Sequence, residues 1–322
     1  MKINVILKIF IALGSIFLLS KYNFLDFSVF FTLNASLILK LFVLIVAVII
    51  LGTFKWYFLL KIQNGSISFR KVFEAYYLGY ALNYILFGVA GDVVKTIYII
   101  KDKDNKIGIS LSVVIDRLIG LFSMLIIIAF FLPNIFTLNN ISVQNNYINS
   151  VNLNLYYIFL FIFLISLILF SRKCLNSRRV NKKILLYLYK YKNKKIKLIA
   201  KTFKVLFSYR KATKNLLINL IIAIILQFII GYALYLISLY IISQDTTFFN
   251  NLIASLAVQI ISVIPLSPGN IGVGEAAFSQ IMYLLNSNIL LHYASVYFIF
   301  RIFNMIFSVP GVIIYYIFMR RS

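Results

Sequence analysis

Cysteine, histidine, proline and acidic side chains are all scarce in this chain, and each scarcity removes a class of function. The single cysteine, Cys174, excludes an internal disulfide and any multi-cysteine metal site. Beside Arg172 and Lys173 it reads as an interfacial residue rather than a catalytic thiol. One histidine, His292, with no paired-histidine or HExxH spacing, leaves no basis for a catalytic zinc centre, so neither a metal nor a cofactor is expected. No Gly-Lys-Ser/Thr follows any glycine-rich stretch, which excludes a phosphate-binding loop and an ATPase of the chain's own. Only 4 prolines occur, and two of them, Pro265 and Pro268, stand together in one apolar region.

What remains is overwhelmingly apolar. Of 322 residues, 62% are hydrophobic and 12% charged, and several uncharged runs are long enough to cross a hydrocarbon core of about 30 Å. Full spans are expected at 3–20, 37–60, 109–132, 153–171, 216–242 and 292–318. The first has no small-residue cleavage site after it and reads as an uncleaved signal-anchor.

The net charge of +24 is unevenly placed, with 16 Lys and Arg and no acidic residue between Arg172 and Lys214. Basic loops stay cytoplasmic, so segment 172–215 is expected inside, resting on an anionic leaflet. With membrane spans on both sides and no recognition motif within it, it does not suggest nucleic-acid binding. Lys2 and Lys8 place the N-terminus inside, and Arg320 and Arg321 the C-terminus; loops 133–152 and 243–251 are then external.

Two apolar segments do not fit this alternation. Segment 75–94 has basic residues on both sides (Lys61, Arg70, Lys71, then Lys95, Lys101, Lys103) and must enter and leave on one face. With only about twenty residues and glycines at 79, 88 and 91, it is too short for two full spans and reads as a re-entrant hairpin, tolerated only where protein or a water-filled cavity surrounds it. Segment 252–287, broken at Pro265 and Pro268-Gly269, must likewise return to the outside. The expected fold is therefore an all-α polytopic membrane protein with six full spans and two opposed re-entrant helical hairpins. Its halves, 1–132 and 133–322, each contain span, span, hairpin, span. Three crossings per half invert the second relative to the first.

Each half also carries a charged, glycine-containing signature. The first is Gly88-Val89-Ala90-Gly91-Asp92 with Arg117 25 residues after the acid; the second is Ser267-Pro268-Gly269-Asn270-Ile271-Gly272-Val273-Gly274-Glu275 with Arg301 26 residues after it. Charges in apolar segments are costly enough to point to function. Gly88, Gly91, Pro268, Gly269, Gly272 and Gly274 are candidate hinges. Asp92, Lys95, Arg117, Asn270, Glu275 and Arg301 are candidate ligand-binding residues, the arginines because a guanidinium receives phosphate in bidentate fashion. The competing reading is internal: Arg117 and Arg301 pair only with Asp92, Asp116 or Glu275. Asn83, Gln227 and Asn304 add neutral amides, which in spans often form interhelix bonds.

These motifs resemble the flippase-like integral membrane region of lysylphosphatidylglycerol synthases, including its stand-alone relatives, over residues 3–318. Gly91-Asp92-Val93-Val94-Lys95 resembles the family's Gly-Glu motif, Asp116-Arg117 its acid-arginine pair, and Ser267 to Glu275 its Ser-Pro-Gly-Gly-x-Gly-x-x-Glu signature. Arg301 matches the arginine of the last conserved span. Asp92, Asn270 and Gly274 depart from the commoner glutamate, glycine and arginine, which bears on headgroup preference. The resemblance implies translocation of lipid between leaflets. No aminoacyl transferase domain follows residue 318, so the chain is not expected to synthesise aminoacyl-lipid by itself.

The reading favoured is a lipid translocase, a flippase or scramblase, for a phospholipid or polyprenyl-linked glycolipid in the plasma or inner membrane. Its partners would be membrane lipids with charged headgroups and a lipid-modifying enzyme, with homo-oligomers allowed. An accessory protein of envelope glycolipid assembly and a membrane-embedded transferase remain as alternatives. For the transferase, carboxylates alone are a weak catalytic signature, and no catalytic residue is assigned.

Overall fold

A computed structural model describes residues 13–14, 16–21, 25–26, 28–63, 67–85, 90–100, 105–138, 194–242, 246–264, 266–286 and 292–320. Among these residues there are ten α-helices and no strand. A short helix α1 (Val29–Thr32) precedes α2 (Ala35–Gln63), α3 (Phe69–Ile85), α4 (Ala90–Ile100) and α5 (Lys106–Leu138). After the undescribed middle come α6 (Lys194–Ser208), a 3-10 turn at Tyr209–Ala212, α7 (Thr213–Ile242) and α8 (Phe248–Ile261). A second 3-10 turn at Pro268–Asn270, α9 (Val273–Asn286) and α10 (Tyr293–Arg320) complete the order.

Four helices, α2, α5, α7 and α10, are long and apolar enough to cross a membrane. The 30 residues of α7 extend about 45 Å at 1.5 Å per residue, and their apolar side chains cover every face, as expected of a helix solvated by hydrocarbon. The helices coincide with four of the expected spans and run slightly past them. For example, α5 continues beyond 132 to Leu138, because Ile135, Phe136 and Leu138 prolong its apolar run. Span 153–171, Gly88, Cys174 and most of the first expected span lie outside the described residues.

The two irregular segments are helix, break, helix. The first runs from Phe69 to Ile100, longer than the expected 75–94, and Val72 and Ile99, beyond the two expected ends, are buried in one core. The second begins at Phe248, inside the segment read as an external loop. The side-chain oxygen of Thr247 accepts the amide of Asn250 at 3.2 Å and starts the helix there. In each segment the two short helices pack on one another: α3 on α4, α8 on α9.

A central core joins Leu41, Ile45 and Ile49 of α2 to Leu234 and Ile237 of α7, Phe278 and Met282 of α9, and Val296 and Ile299 of α10. A second core at one end packs Trp56 and Leu60 against Val72, Ala75, Ile99 and Ile109. Where α3 lies on α10, Pro310 removes one donor from the helix, and the Tyr77 hydroxyl donates to the Phe307 carbonyl at 2.7 Å.

Candidate functional site

The second signature folds into a tightly closed break. Gly269, Asn270 and Gly272 all have positive φ (55°, 56° and 80°), which reverses the chain between α8 and α9. Asn270 braces the turn, its amide donating to the Ser262 carbonyl at 3.0 Å. Glu275 is the third residue of α9 and reaches back to accept the Gly272 amide at 2.6 Å, satisfying a helix-start donor. Its other oxygen lies 2.8 Å from Arg301 Nε, and both side chains are buried, at 0% and 5% exposure. Arg301 Nη1 then donates to the Gly269 carbonyl at 2.5 Å, and the guanidinium lies 5.3 Å from the Tyr297 ring centre. At Gly274 a Cβ would stand 2.5 Å from Arg301 Nη2, so the glycine leaves the guanidinium its place beside the break. One arginine thus ties α10 to both sides of the break.

The first signature repeats the pattern with an extra cation. Asp92 is the third residue of α4, and Arg117 of α5 donates to its Oδ2 through Nε at 2.6 Å and also through Nη2. The other oxygen, Oδ1, is 2.8 Å from Lys95 Nζ. Lys95 is buried and stands over the rings of Trp56 and Tyr76, at 4.8 and 5.4 Å from their centres. Gly91 and Gly79 let α4 and α3 approach at backbone distance, and Asn83 accepts the Gly91 amide at 3.1 Å to cap α4 across the break. Arg117 differs from its counterpart in being half exposed.

Neighbouring residues on α5 point apart by about 100°, the helical turn per residue. Asp116 therefore faces inward and pairs with Lys55 of α2 at 3.1 Å, while Arg117 reaches Asp92. The end of α3 also meets the second break. The carbonyl of Tyr84, the next-to-last residue of α3, lies 2.7 Å from where a Cβ on Gly269 would be. Beside this meeting point is a cavity of about 90 Å³ lined by Tyr84, Tyr297, Ser255, Gln259 and Asn304 together with aliphatic residues of α2 and α7. No charged residue is among those lining it.

The family model described as "Lysylphosphatidylglycerol synthase TM region" matches residues 5–309. The chain belongs to that family. No curated protein and no solved structure matches it. The family match and the four apolar helices make it an integral membrane protein.

In this lysylphosphatidylglycerol synthase-like membrane region, Asp92, Lys95 and Arg117 come together, as do Glu275 and Arg301, while the Asn270 side chain turns to Ser262. Both carboxylates pair with the arginine of their own half, the internal pairing that the sequence left open. Lys95, a candidate ligand-binding residue, is buried against Trp56 and Tyr76. Gln227 accepts from Gln259 at 2.8 Å, and Asn304 donates to the Phe300 carbonyl while accepting from Tyr80. Sequence reasoning missed Lys55, the partner of Asp116. A lone lysine deep in the apolar run Ile45 to Leu60 was the available signal.

Proposed function

We propose that this protein is a lipid translocase, a flippase or scramblase without an ATPase of its own, passing a phospholipid or polyprenyl-linked glycolipid between leaflets. One observation carries this reading. The end of α3 touches the second helix break within an apolar bundle, and each irregular segment carries a carboxylate-arginine pair. Irregular backbone at membrane depth is tolerated where protein or a water-filled cavity surrounds it, and ionised side chains there commonly mark a substrate path.

The halves 1–132 and 133–322 would form an inverted repeat, with α3-α4 and α8-α9 as its opposed re-entrant hairpins. In both, the carboxylate is the third residue of the helix after the break, and its arginine comes from the next long helix. Relative rocking of such halves would present the headgroup path to each leaflet in turn. The end of α2 at Lys61 and the Lys-rich α6 would lie in the cytoplasm with both termini.

Reconstitution tests this. Vesicles holding the purified protein and a fluorescent phospholipid should lose inner-leaflet protection from a reductant faster than protein-free vesicles, with the lipid chemically unchanged. Altered lipid mass would move the assignment to a transferase. Neither transfer nor altered mass across phospholipids and polyprenyl glycolipids would leave an accessory role.

A further inference from the structure

The cavity beside the second break has a polar lining without charge. Tyr84, Tyr297, Ser255, Gln259 and Asn304 supply its oxygen and nitrogen atoms, around a space of about 90 Å³. The ion pair of the same half is not among the lining residues. Glu275 and Arg301 are buried on one another, and each also holds backbone of the break, the Gly272 amide and the Gly269 carbonyl. The pair is a lock on the break, and both charges are spent there.

The polar groups of the cavity differ in what they have left to offer. Asn304 donates to the Phe300 carbonyl at 2.7 Å and accepts from Tyr80. Ser255 donates to the Leu252 carbonyl at 2.7 Å, so its oxygen can still accept. Gln259 engages one end of its amide with Gln227 at 2.8 Å, and among the described residues the other end has no partner. A polar end left dry in an apolar bundle is costly, so a hydrogen-bonding guest is favoured at this point. An ionised guest is not, because no lining residue supplies a counter-charge. The rings of Tyr84 and Tyr297 add aromatic faces, whose negative charge density suits the C–H side of a saturated ring.

We propose that this cavity binds an uncharged glycosyl group carried on a lipid, with Gln259 and Ser255 meeting its hydroxyls and Tyr84 and Tyr297 its ring. The volume is that of about three waters at roughly 30 Å³ each, which suits the hydroxyl-bearing edge of one sugar and not an oligosaccharide. The remaining wall is aliphatic, formed by α2 and α7. That wall suits a hydrocarbon chain beside the sugar and disfavours a ligand arriving from water. The proposal narrows the translocase reading to a glycolipid and rests on it for motion, not for binding.

Lipid retention by the full-length protein, read by native mass spectrometry, tests it without transport. Glucosyl-diacylglycerol should be retained about tenfold over diacylglycerol with the same chains, roughly what two neutral hydrogen bonds contribute. Both lipids are uncharged, so the basic segments of the chain do not discriminate between them. Gln259→Leu should bring the two lipids to parity. Should that variant fold poorly, Ser255→Ala removes one acceptor and little volume, and should cut the preference about threefold. Glucuronosyl-diacylglycerol, the same ring with a carboxylate, should be retained equally by the unaltered protein and by Gln259→Leu, since its charge keeps it out of the cavity. A loss of its retention in Gln259→Leu would overturn the selection against charge. Free glucose at high millimolar concentration should not displace the glucosyl lipid; displacement would assign a soluble sugar and overturn the lipid source. Equal retention of glucosyl-diacylglycerol and diacylglycerol leaves the cavity to water and overturns the proposal, as does a preference that neither substitution reduces. Preference without transport would sink the translocase reading alone; transport without preference would sink this one alone.

Discussion

The carbonyl of Tyr84 and the α-carbon of Gly269 are in direct apposition, although one ends α3 and the other lies in the turn between α8 and α9. Through this contact the two irregular segments become one structural unit: the end of α3 rests on the turn that Arg301 holds closed. A residue with no side chain is needed on one side of that contact, and a left-handed backbone is needed at the same position.

Replacing Gly269 by alanine should therefore be disproportionately damaging. Left-handed φ costs a non-glycine residue roughly 1–2 kcal/mol, before the approach to the Tyr84 carbonyl adds to it. Thermal unfolding in detergent should show a clearly lowered midpoint. An unchanged midpoint would mean that α3 does not rest on this turn as described.

Removing one member of the Glu275–Arg301 pair should mainly unfold the protein. Taking one partner from a buried ion pair typically costs about 3–5 kcal/mol, because the other is left charged and dry. Arg301→Ala and Glu275→Gln should both lower thermal stability, and Arg301→Lys should recover only part of it, since a lysine cannot serve Glu275 and the Gly269 carbonyl in the same geometry. If Glu275→Gln kept full stability and lost transfer, the carboxylate would belong to the transport path instead of the lock.

Lys55 and Asp116 should rescue one another. Asp116→Asn leaves the buried Lys55 ammonium without its counter-charge and should reduce the yield of folded protein. Exchanging the two residues should restore much of it, a gain that additive effects of two damaging changes do not produce. No recovery in the exchanged variant would remove the pair from the structural account.

Topology can be read on α6. Lys201 and Lys204 are exposed there, so a cysteine at either position, with Cys174 replaced by serine, is open to a membrane-impermeant maleimide. Labelling is expected only after the membrane is opened, which would place α6 in the cytoplasm as basic segments generally are. Labelling of intact cells would invert the whole orientation.

Much of this arrangement was legible before any coordinates, and for simple reasons. Apolar runs near the hydrocarbon thickness announce spans, so α2, α5, α7 and α10 were found within a few residues. Pro268-Gly269 stops a helix by local chemistry, so the second break was placed correctly. Helix ends set by a single hydrogen bond, such as Thr247 to Asn250, were not, because one threonine among many carries no distinguishing pattern.

The sequence by itself determined that this is an apolar helical protein with two matched acid-arginine signatures, since hydropathy and spacing are properties of the chain alone. Only the tertiary structure decided which charge meets which. Asp116 and Arg117 are adjacent in sequence, yet the helix turns them toward Lys55 and Asp92 respectively. Nor could spacing reveal that Arg301 is sealed while Arg117 is half open. Burial is set by helices distant in the chain, and the energy of an ion pair depends on that burial far more than on the number of residues between its members.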